Sequence, residues 1–506
     1  MNTGHKVLLN TAVLYLKILI TMLISLVSVP LVLKALGKSD YGLYNLIAGV
    51  ISMLAFLNSS MSISTQRFLS VAIGTKNLDR LNTVYNVAIG LHLLLGFIIV
   101  LLFEVCFLFV FDGFLNIEPQ RLYVAKIVYQ CLVISTFFTI LSVPYGAVMN
   151  AKEDMVVFSI IYIVDSICKL LLALALLNCS LDRLMVYGIG MASISILNTI
   201  ACRLYVKVKY HEFKRDIKQF FNRGAIREMG AFAGWNTIGA VAIIGRNQGI
   251  AIIINHFFGT IANAAYGIAN QVNGVLVDLS STFQKTLNPQ LMQSEGMNDR
   301  ERLVTISFML TKSSVLVLAL FGVPLLMEMQ YVLKLWLHDV PEYTLRLTQL
   351  VLILNIIYQF SVGTISSIQA VGNVKLYFII TSTLVLLNIP ISYYLLRCGM
   401  PLYETIVVFI IVEGICFIAR LLMAKRYVGF RISEYFKQVF FPVVLCIIVS
   451  AILPLIFHYI LRESFGRLLI VCISYAALYL LLTWKYLLED VVRNTIKNLC
   501  TRVFQK

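Results

Sequence analysis

MGAFAGWNTIGAVAIIGRNQGIAIIINHFFGTIANAAYGIANQVNGVLVDLSSTFQKTL, residues 229–287, is two apolar runs back to back, each long enough to cross a bilayer and each striped with polar residues. At about 100° per residue, Asn236, Gly239, Arg246 and Asn247 fall on one helical face of the first run. In the second, Asn263, Gly267, Asn270, Gly274, Asp278, Ser281 and Lys285 recur at steps of four and three. An ionisable side chain costs roughly 3 kcal/mol or more in the middle of a bilayer, so both stripes are expected to face protein or a water-filled cavity.

The rest of the chain has the same character. Of 506 residues, 59% are hydrophobic and only 13% charged, against roughly a quarter charged in a soluble globular protein. The apolar residues gather in stretches that match the ~30 Å of hydrocarbon a helix must cross. The sequence therefore predicts an all-α, polytopic membrane protein with about fourteen spans, the first near residues 10–33 and the last near 467–487. The N-terminal run is too long for a signal-peptide core and carries Lys17 inside it, so it is expected to remain as the first span.

The formal charge of +16 sits mostly in short loops. Orientation on an acidic inner leaflet explains that placement, and no nucleic-acid partner is expected. By far the larger share of the 41 Lys and Arg lies on one side if the even-to-odd loops and both termini share it. That asymmetry predicts cytoplasmic termini. The ten cysteines form no C-x-x-C pair and the six histidines are scattered, so the chain is expected to hold neither metal nor cofactor.

Two halves repeat. Leu36-Gly37 and Tyr44 align with Phe258-Gly259 and Tyr266 at an offset of 222, which also sets Ser52 against Gly274 and Ser59 against Ser281. Six spans separate equivalent points, so the halves share one orientation, with a substrate site expected between them near the midplane. The predicted organisation is a lobe over residues 1–205 (spans 1–6), a basic linker over 206–228 and a second six-helix lobe over 229–430. Spans 13 and 14 and a tail complete it over 431–506. In the linker, two readings stand: a positive stop that fixes topology, or an interfacial amphipathic helix with Phe213, Ile217, Phe220 and Phe221 toward the membrane.

Among the intramembrane charges, Arg246 lies deep in its span, flanked by Ile243–Ile244 and Ile250–Ile254. A guanidinium there suits bidentate binding of phosphate; the plainer reading is a structural pair with Asp278 or Asp165. Lys17 either lines a cavity or reaches the cytoplasmic surface along its stem. Asp165 and Lys169, acid first and four apart, read as a helical ion pair or as ion coupling. Asp278 has three readings: an ion site, a proton carrier, or the neutralising partner of Arg246. Glu413 and Arg420 share a face of span 12. Asn236, Asn247, Asn263, Asn270 and Ser52 are the expected polar lining of the cavity. Glu104 is expected at an aqueous rim, and Lys312 near a cytoplasmic end.

VPLVLKALGKSDYGLYNL (29–46), STQRFLS (64–70), VPYGAVMNAKEDM (143–155) and FGTIANAAYGIANQV (258–272) together resemble one known family. It is the polysaccharide-export branch of the multidrug/oligosaccharidyl-lipid/polysaccharide (MOP) exporter superfamily, in particular the O-antigen (Wzx-type) flippases. The resemblance implies a two-lobed transporter of the bacterial inner membrane. It would flip an undecaprenyl-pyrophosphate-linked oligosaccharide, O-antigen or capsule repeat unit, by alternating access, with H⁺ or Na⁺ as coupling ion and a polysaccharide polymerase as partner. Lipid II flippases and cation-coupled multidrug antiporters are relatives and stand as alternatives. An enzyme is not expected, because no outward loop is long enough to carry catalytic groups; the longest is expected around Glu328–Glu342.

Overall fold

A computed structural model of the chain describes residues 3–52, 55–109, 111, 117–337, 339–487 and 493; side chains at 3–8, 50, 52 and 55 lie outside it. Every regular element among the described residues is helical. They are α1 (Thr3–Ser52), α2 (Ala55–Gly74), α3 (Leu78–Phe109), α4 (Leu122–Ala151), α5 (Met155–Leu177), α6 (Arg183–Lys209) and α7 (Arg223–Gly296). There follow α8 (Arg300–Leu337), α9 (Thr344–Gln359), α10 (Val362–Val371), α11 (Lys375–Arg397) and α12 (Glu404–Tyr427). The short α13 (Ile432–Tyr435) leads through a wide turn into α14 (Phe441–Ile460), and α15 (Phe465–Leu482) runs on into a π-helical turn, Thr483–Leu487.

Among the described residues, eleven helices are long and apolar enough to span a membrane, or twelve if α9 and α10, bent by 44°, count as one. Fourteen spans were expected. The numbers differ chiefly because α1 carries the first expected span and the start of the second, while α7, at 74 residues, carries the seventh and eighth. Each of these long helices is interrupted by one glycine, Gly37 (φ 78°, ψ 170°) in α1 and Gly259 (φ 76°, ψ −170°) in α7. That backbone region is essentially closed to residues with a Cβ. They are also the two glycines that the sequence offset places opposite each other.

The chain divides into two compact units, Leu9–Thr237 and the part from Ile238 onward. The first runs past the expected lobe boundary because the opening turns of α7 pack on α2 and the start of α3. Ser64 Oγ donates to the Met229 carbonyl (3.0 Å), the rings of Phe68 and Phe232 meet edge-on at 5.9 Å, and Arg80 pairs with Glu228 at 2.9 Å. Its apolar core gathers Ile47, Ile99, Phe103, Val128, Tyr129 and Leu176. Tyr129, fully buried, gives its hydroxyl proton to the Phe103 carbonyl, as a phenol cut off from water must. Near the break at Gly37, Arg121 forks between Asp40 and Asp182, and Arg183 donates to the Ala35 carbonyl at 3.0 Å. Both sides of the kink are thus held from other helices.

The basic linker is not an amphipathic helix. After α6 it runs irregularly to a single 3₁₀ turn, Ile217–Phe221. Its backbone is tied to α3: Asn82 Oδ1 accepts from Lys214 N (2.9 Å), Asn86 Nδ2 donates to the Lys214 carbonyl (2.8 Å) and Asn86 Oδ1 accepts from Asp216 N (2.9 Å). Phe213 turns inward onto Tyr85, at 5.1 Å between rings, while Ile217 and Phe221 are 65% and 75% exposed. Lys152 pairs with Glu212 at 2.7 Å. Between α4 and α5, Asp154 ties down the end of α6. Burial alone would raise its carboxyl pKa, but hydrogen bonds from Lys209 (2.6 Å), Tyr205 and Tyr210 (2.8 Å) hold it below the ordinary value.

The second unit buries Ile250, Ile254, Ala265, Tyr266, Leu347 and Phe409 around α7, α9 and α12. Glu328, read from the sequence as the start of an outward loop, lies instead on α8 and is fully buried. Its carboxylate holds His458 of α14 (2.8 Å) and Arg467 of α15 (2.8 Å), which staples the last two helices to α8.

Candidate functional site

Within the second unit, α7, α9, α11 and α12 bring together two guanidinium groups and one carboxylate. Glu413 and Arg420, seven residues apart on α12, form a buried ion pair. Arg420, 3% exposed, also donates to Ser361 Oγ (3.0 Å) at the bend between α9 and α10, lies over the Tyr358 ring at 5.4 Å and is hydrogen-bonded to Tyr377. Its Nε–H has no hydrogen-bond partner among the described residues. The shared face inferred for positions 413 and 420 is thus a direct pair, and it anchors a helix bend.

Arg246 is half-buried on α7. Asn247 Oδ1 accepts from its Nε (3.1 Å) and Nη2 (3.0 Å), and its guanidinium lies over the Phe409 ring at 4.6 Å. No carboxylate pairs with it among the described residues; the acid that acts on it electrostatically is Glu413, already committed to Arg420. The suggested partner Asp278 is exposed on α7 and makes no ion pair among the described residues. Two cations against one anion leave this part of the unit with a net positive charge.

The polar stripe after Gly259 lies off the packed face of α7. Asn263 and Asn270 are half-buried and Gly267, Gly274, Asp278 and Lys285 exposed, while Ala262, Ala265, Tyr266 and Ala269 take the packed face. Asn270 holds itself by donating to the Tyr266 carbonyl at 3.0 Å. Asn273, outside the stripe, is the residue that bridges helices, accepting from Asn355 at 2.8 Å. The stripe before Gly259 is divided. Asn236 is buried, donating to the Phe232 carbonyl (2.8 Å), and the Phe378 ring packs directly on Gly239, so these positions serve packing rather than an open lining. The side chain of Ser52 lies outside the described residues.

In the first unit, the Lys17 ammonium sits over the rings of Phe158 (4.9 Å) and Tyr162 (4.4 Å) on α5, a cation–π cradle the sequence reading missed. One turn further along α5, Lys169 pairs with Asp165 at 2.7 Å, and Asn198 of α6 donates to the same carboxylate at 3.2 Å. Arg67, within STQRFLS, is buried between the rings of Phe68 (4.6 Å) and Phe232 (4.9 Å). Glu104 accepts from Gln130 at 3.2 Å, so it is bonded within the unit.

These features define a multi-pass, all-helical membrane protein with intramembrane charges of mixed sign. Residues 14–175 match the family model MatE. The solved structure described as an outward-facing conformation of a multidrug resistance MATE family transporter of the MOP superfamily superposes with a TM-score of 0.71 at 11% identity. It covers 85% of this chain and 96% of that one. A MOP superfamily transporter from Pyrococcus furiosus, described as having a binding pocket of reverse polarity, gives 0.70 at 12% identity, again over 85% and 96%. The curated relative "Uncharacterized membrane protein EpsK" of Bacillus subtilis (strain 168) is 21% identical over 306 residues, 60% of this chain. The match spans 59% of that relative's length. The fold is that of the MATE transporters.

Proposed function

We propose that this protein is an exporter that flips an undecaprenyl-pyrophosphate-linked oligosaccharide from the cytoplasmic to the periplasmic leaflet of a bacterial inner membrane. In this reading α1 and α7 each supply two span-forming segments around Gly37 and Gly259. Fourteen spans follow: six in each of two lobes and two more at the C-terminal end, with both termini cytoplasmic. One observation carries the proposal. Arg246 is a half-buried guanidinium deep in its span, held by a neutral amide and an aromatic ring instead of a carboxylate. A cation kept in place but not neutralised is poised to form a fork to phosphate oxygens. The half-buried Asn247, Asn263 and Asn270 offer amides to sugar hydroxyls, and the polyprenyl tail stays in lipid. Alternation of the lobes then moves the headgroup, with H⁺ or Na⁺ taken up at a carboxylate such as Asp278.

The MATE fold and the MatE match support transport. The curated relative's name leaves its cargo open, and a lipid II flippase would use the same charge. A second reading, a cation-coupled multidrug antiporter, is favoured by one observation: Asp278 is an exposed carboxylate on the polar stripe with no ion pair among the described residues.

Arg246→Ala tests the choice. Losing charge-assisted bonds to phosphate is expected to cut surface glycan at least tenfold. Lipid-linked precursor should accumulate, the protein should stay inserted, and Arg246→Lys should recover part of the export. Unchanged glycan in Arg246→Ala, with drug sensitivity altered in Asp278→Asn, would favour the antiporter.

A further inference from the structure

The first unit holds a half-open cavity of about 330 Å³ among α1, α5 and α6, bordered by Lys169 but apart from Arg246 and the Glu413–Arg420 pair. This is the lower end of the volumes that hold small ligands, about 300–1,000 Å³. Thr21, Ser28, Tyr41, Asn45, Ser166 and Lys169 are among its lining residues. On α1, the lining positions alternate with Met22, Leu23, Leu26 and Leu33, which are exposed on the opposite face. The face of α1 turned into the cavity is mixed, with Thr21, Ser25 and Ser28 beside Ile24, Val29 and Val32.

The hydrogen-bonding state of this lining is informative. Thr21 Oγ1 donates to the carbonyls of Lys17 (2.9 Å) and Ile18 (3.1 Å), Ser28 Oγ to that of Ile24 (2.8 Å) and Ser166 Oγ to that of Tyr162 (3.0 Å). Asn45 Nδ2 donates to the Tyr41 carbonyl at 3.0 Å. Each hydroxyl has spent its single proton on its own helix and keeps its lone pairs, and Asn45 keeps its carbonyl oxygen. The cavity thus presents acceptor lone pairs beside donors that the Ser25 and Tyr41 hydroxyls and the second Asn45 N–H can offer, so it suits a ligand whose groups both donate and accept. Lys169 adds ammonium donors, but Asp165 already balances its charge, so the lining has no charge to spare for an ion. The rings of Tyr41, Tyr44 and Tyr187 supply flat apolar faces beside these groups; Tyr44 and Tyr187 lie 4.8 Å apart and share a hydrogen bond between their hydroxyls. Acceptor oxygens, hydroxyl and ammonium donors, and apolar and aromatic faces around a small volume suit one ligand chemistry: several hydroxyls, each able to donate and accept, on a ring with an apolar C–H face.

We infer that this cavity is a binding site for an uncharged, hydroxyl-rich pyranose, a sugar of the transported glycan. The inference rests on the reading of the cargo as a glycan, and it separates the site that recognises sugar from the one that meets phosphate. The test uses full-length protein in lipid nanodiscs, free of sugar-headed detergent, with D-glucose and D-galactose as probes and saturation-transfer NMR as readout. Saturation should reach the ring C–H protons of at least one sugar at millimolar concentration, without comparable signal from sodium glucuronate. Asn45→Leu and Ser28→Val should each weaken binding about three- to tenfold, one neutral hydrogen bond's worth. Ser25→Phe, at an exposed lining position where a ring needs no repacking of the core, should abolish it. No saturation of either sugar, or a signal indifferent to all three variants, overturns the inference. So does sodium-dependent stabilisation that those variants remove while sugars have no effect, because the lining would then be a cation site. The two proposals fail separately. Glycan export lost in Arg246→Ala with no sugar bound sinks the cavity alone, whereas sugar binding with export intact in Arg246→Ala sinks the phosphate route alone.

Discussion

Replacing glycine by alanine within α1 and α7 should have opposite signs at two classes of position. At Gly37 and Gly259 the backbone holds φ near +77° with ψ near 180°, and a Cβ built at either would meet nothing within 4 Å. The cost of alanine is therefore backbone strain alone, about 1–3 kcal/mol at each site. Gly42 and Gly267 lie in the same two helices, also with nothing near an added Cβ, and at ordinary helical φ. There alanine should stabilise by about 0.4–1 kcal/mol, since it restricts the unfolded chain more than the folded one. One substitution in one helix thus separates the classes by about 1.5–4 kcal/mol. Thermal unfolding of purified protein, followed by the monodisperse fraction on size exclusion, reads that difference directly. Gly37→Ala and Gly259→Ala should lower Tm, Gly42→Ala and Gly267→Ala should leave or raise it, and the two kink effects should add because the glycines belong to different units. A rise in Tm for Gly37→Ala equal to that for Gly42→Ala would mean that nothing in the protein enforces the break.

Two further outcomes follow from the charge pairs. Glu413→Gln leaves Arg420 buried and unpaired and should destabilise the second unit by about 3–5 kcal/mol; Glu413→Gln with Arg420→Met should recover much of that, read as a double-mutant cycle in Tm. Asp154, whose carboxyl pKa is depressed by Lys209, Tyr205 and Tyr210, contributes stability that is fully present above the unfolded carboxylate pKa of about 3.9 and is lost as pH falls through the lower folded value. Asp154→Asn should therefore lower Tm at pH 7, and the gap from the native chain should close as melts are taken toward pH 3.

Apolar length and the glycine–aromatic repeat were legible because each is a local signal, readable within a few helical turns. Other features depend on distant pairings. Arg121 meets Asp40 and Asp182 across 81 and 61 residues, and Glu328 meets His458 and Arg467 across well over a hundred. Nothing in the local sequence points to such partners. The linker shows the same limit, since its phenylalanines have helical spacing but the asparagines of α3 capture its backbone. The stripe from Asn236 to Asn247 shows how a correct periodicity can mislead. A helical face of small and polar residues serves equally to open a cavity or to let another helix approach, and the Phe378 ring on Gly239 takes the second option. Arg246 on that same helix is different because its side chain is too large and too charged to be only a packing surface. With Glu413 committed to Arg420, the second unit keeps a positive charge that costs stability unless something anionic offsets it for part of the time. Under the proposed function that excess cation, and not the span count or the polar stripes, is the group that would meet an anionic cargo, and Arg246→Ala is its test.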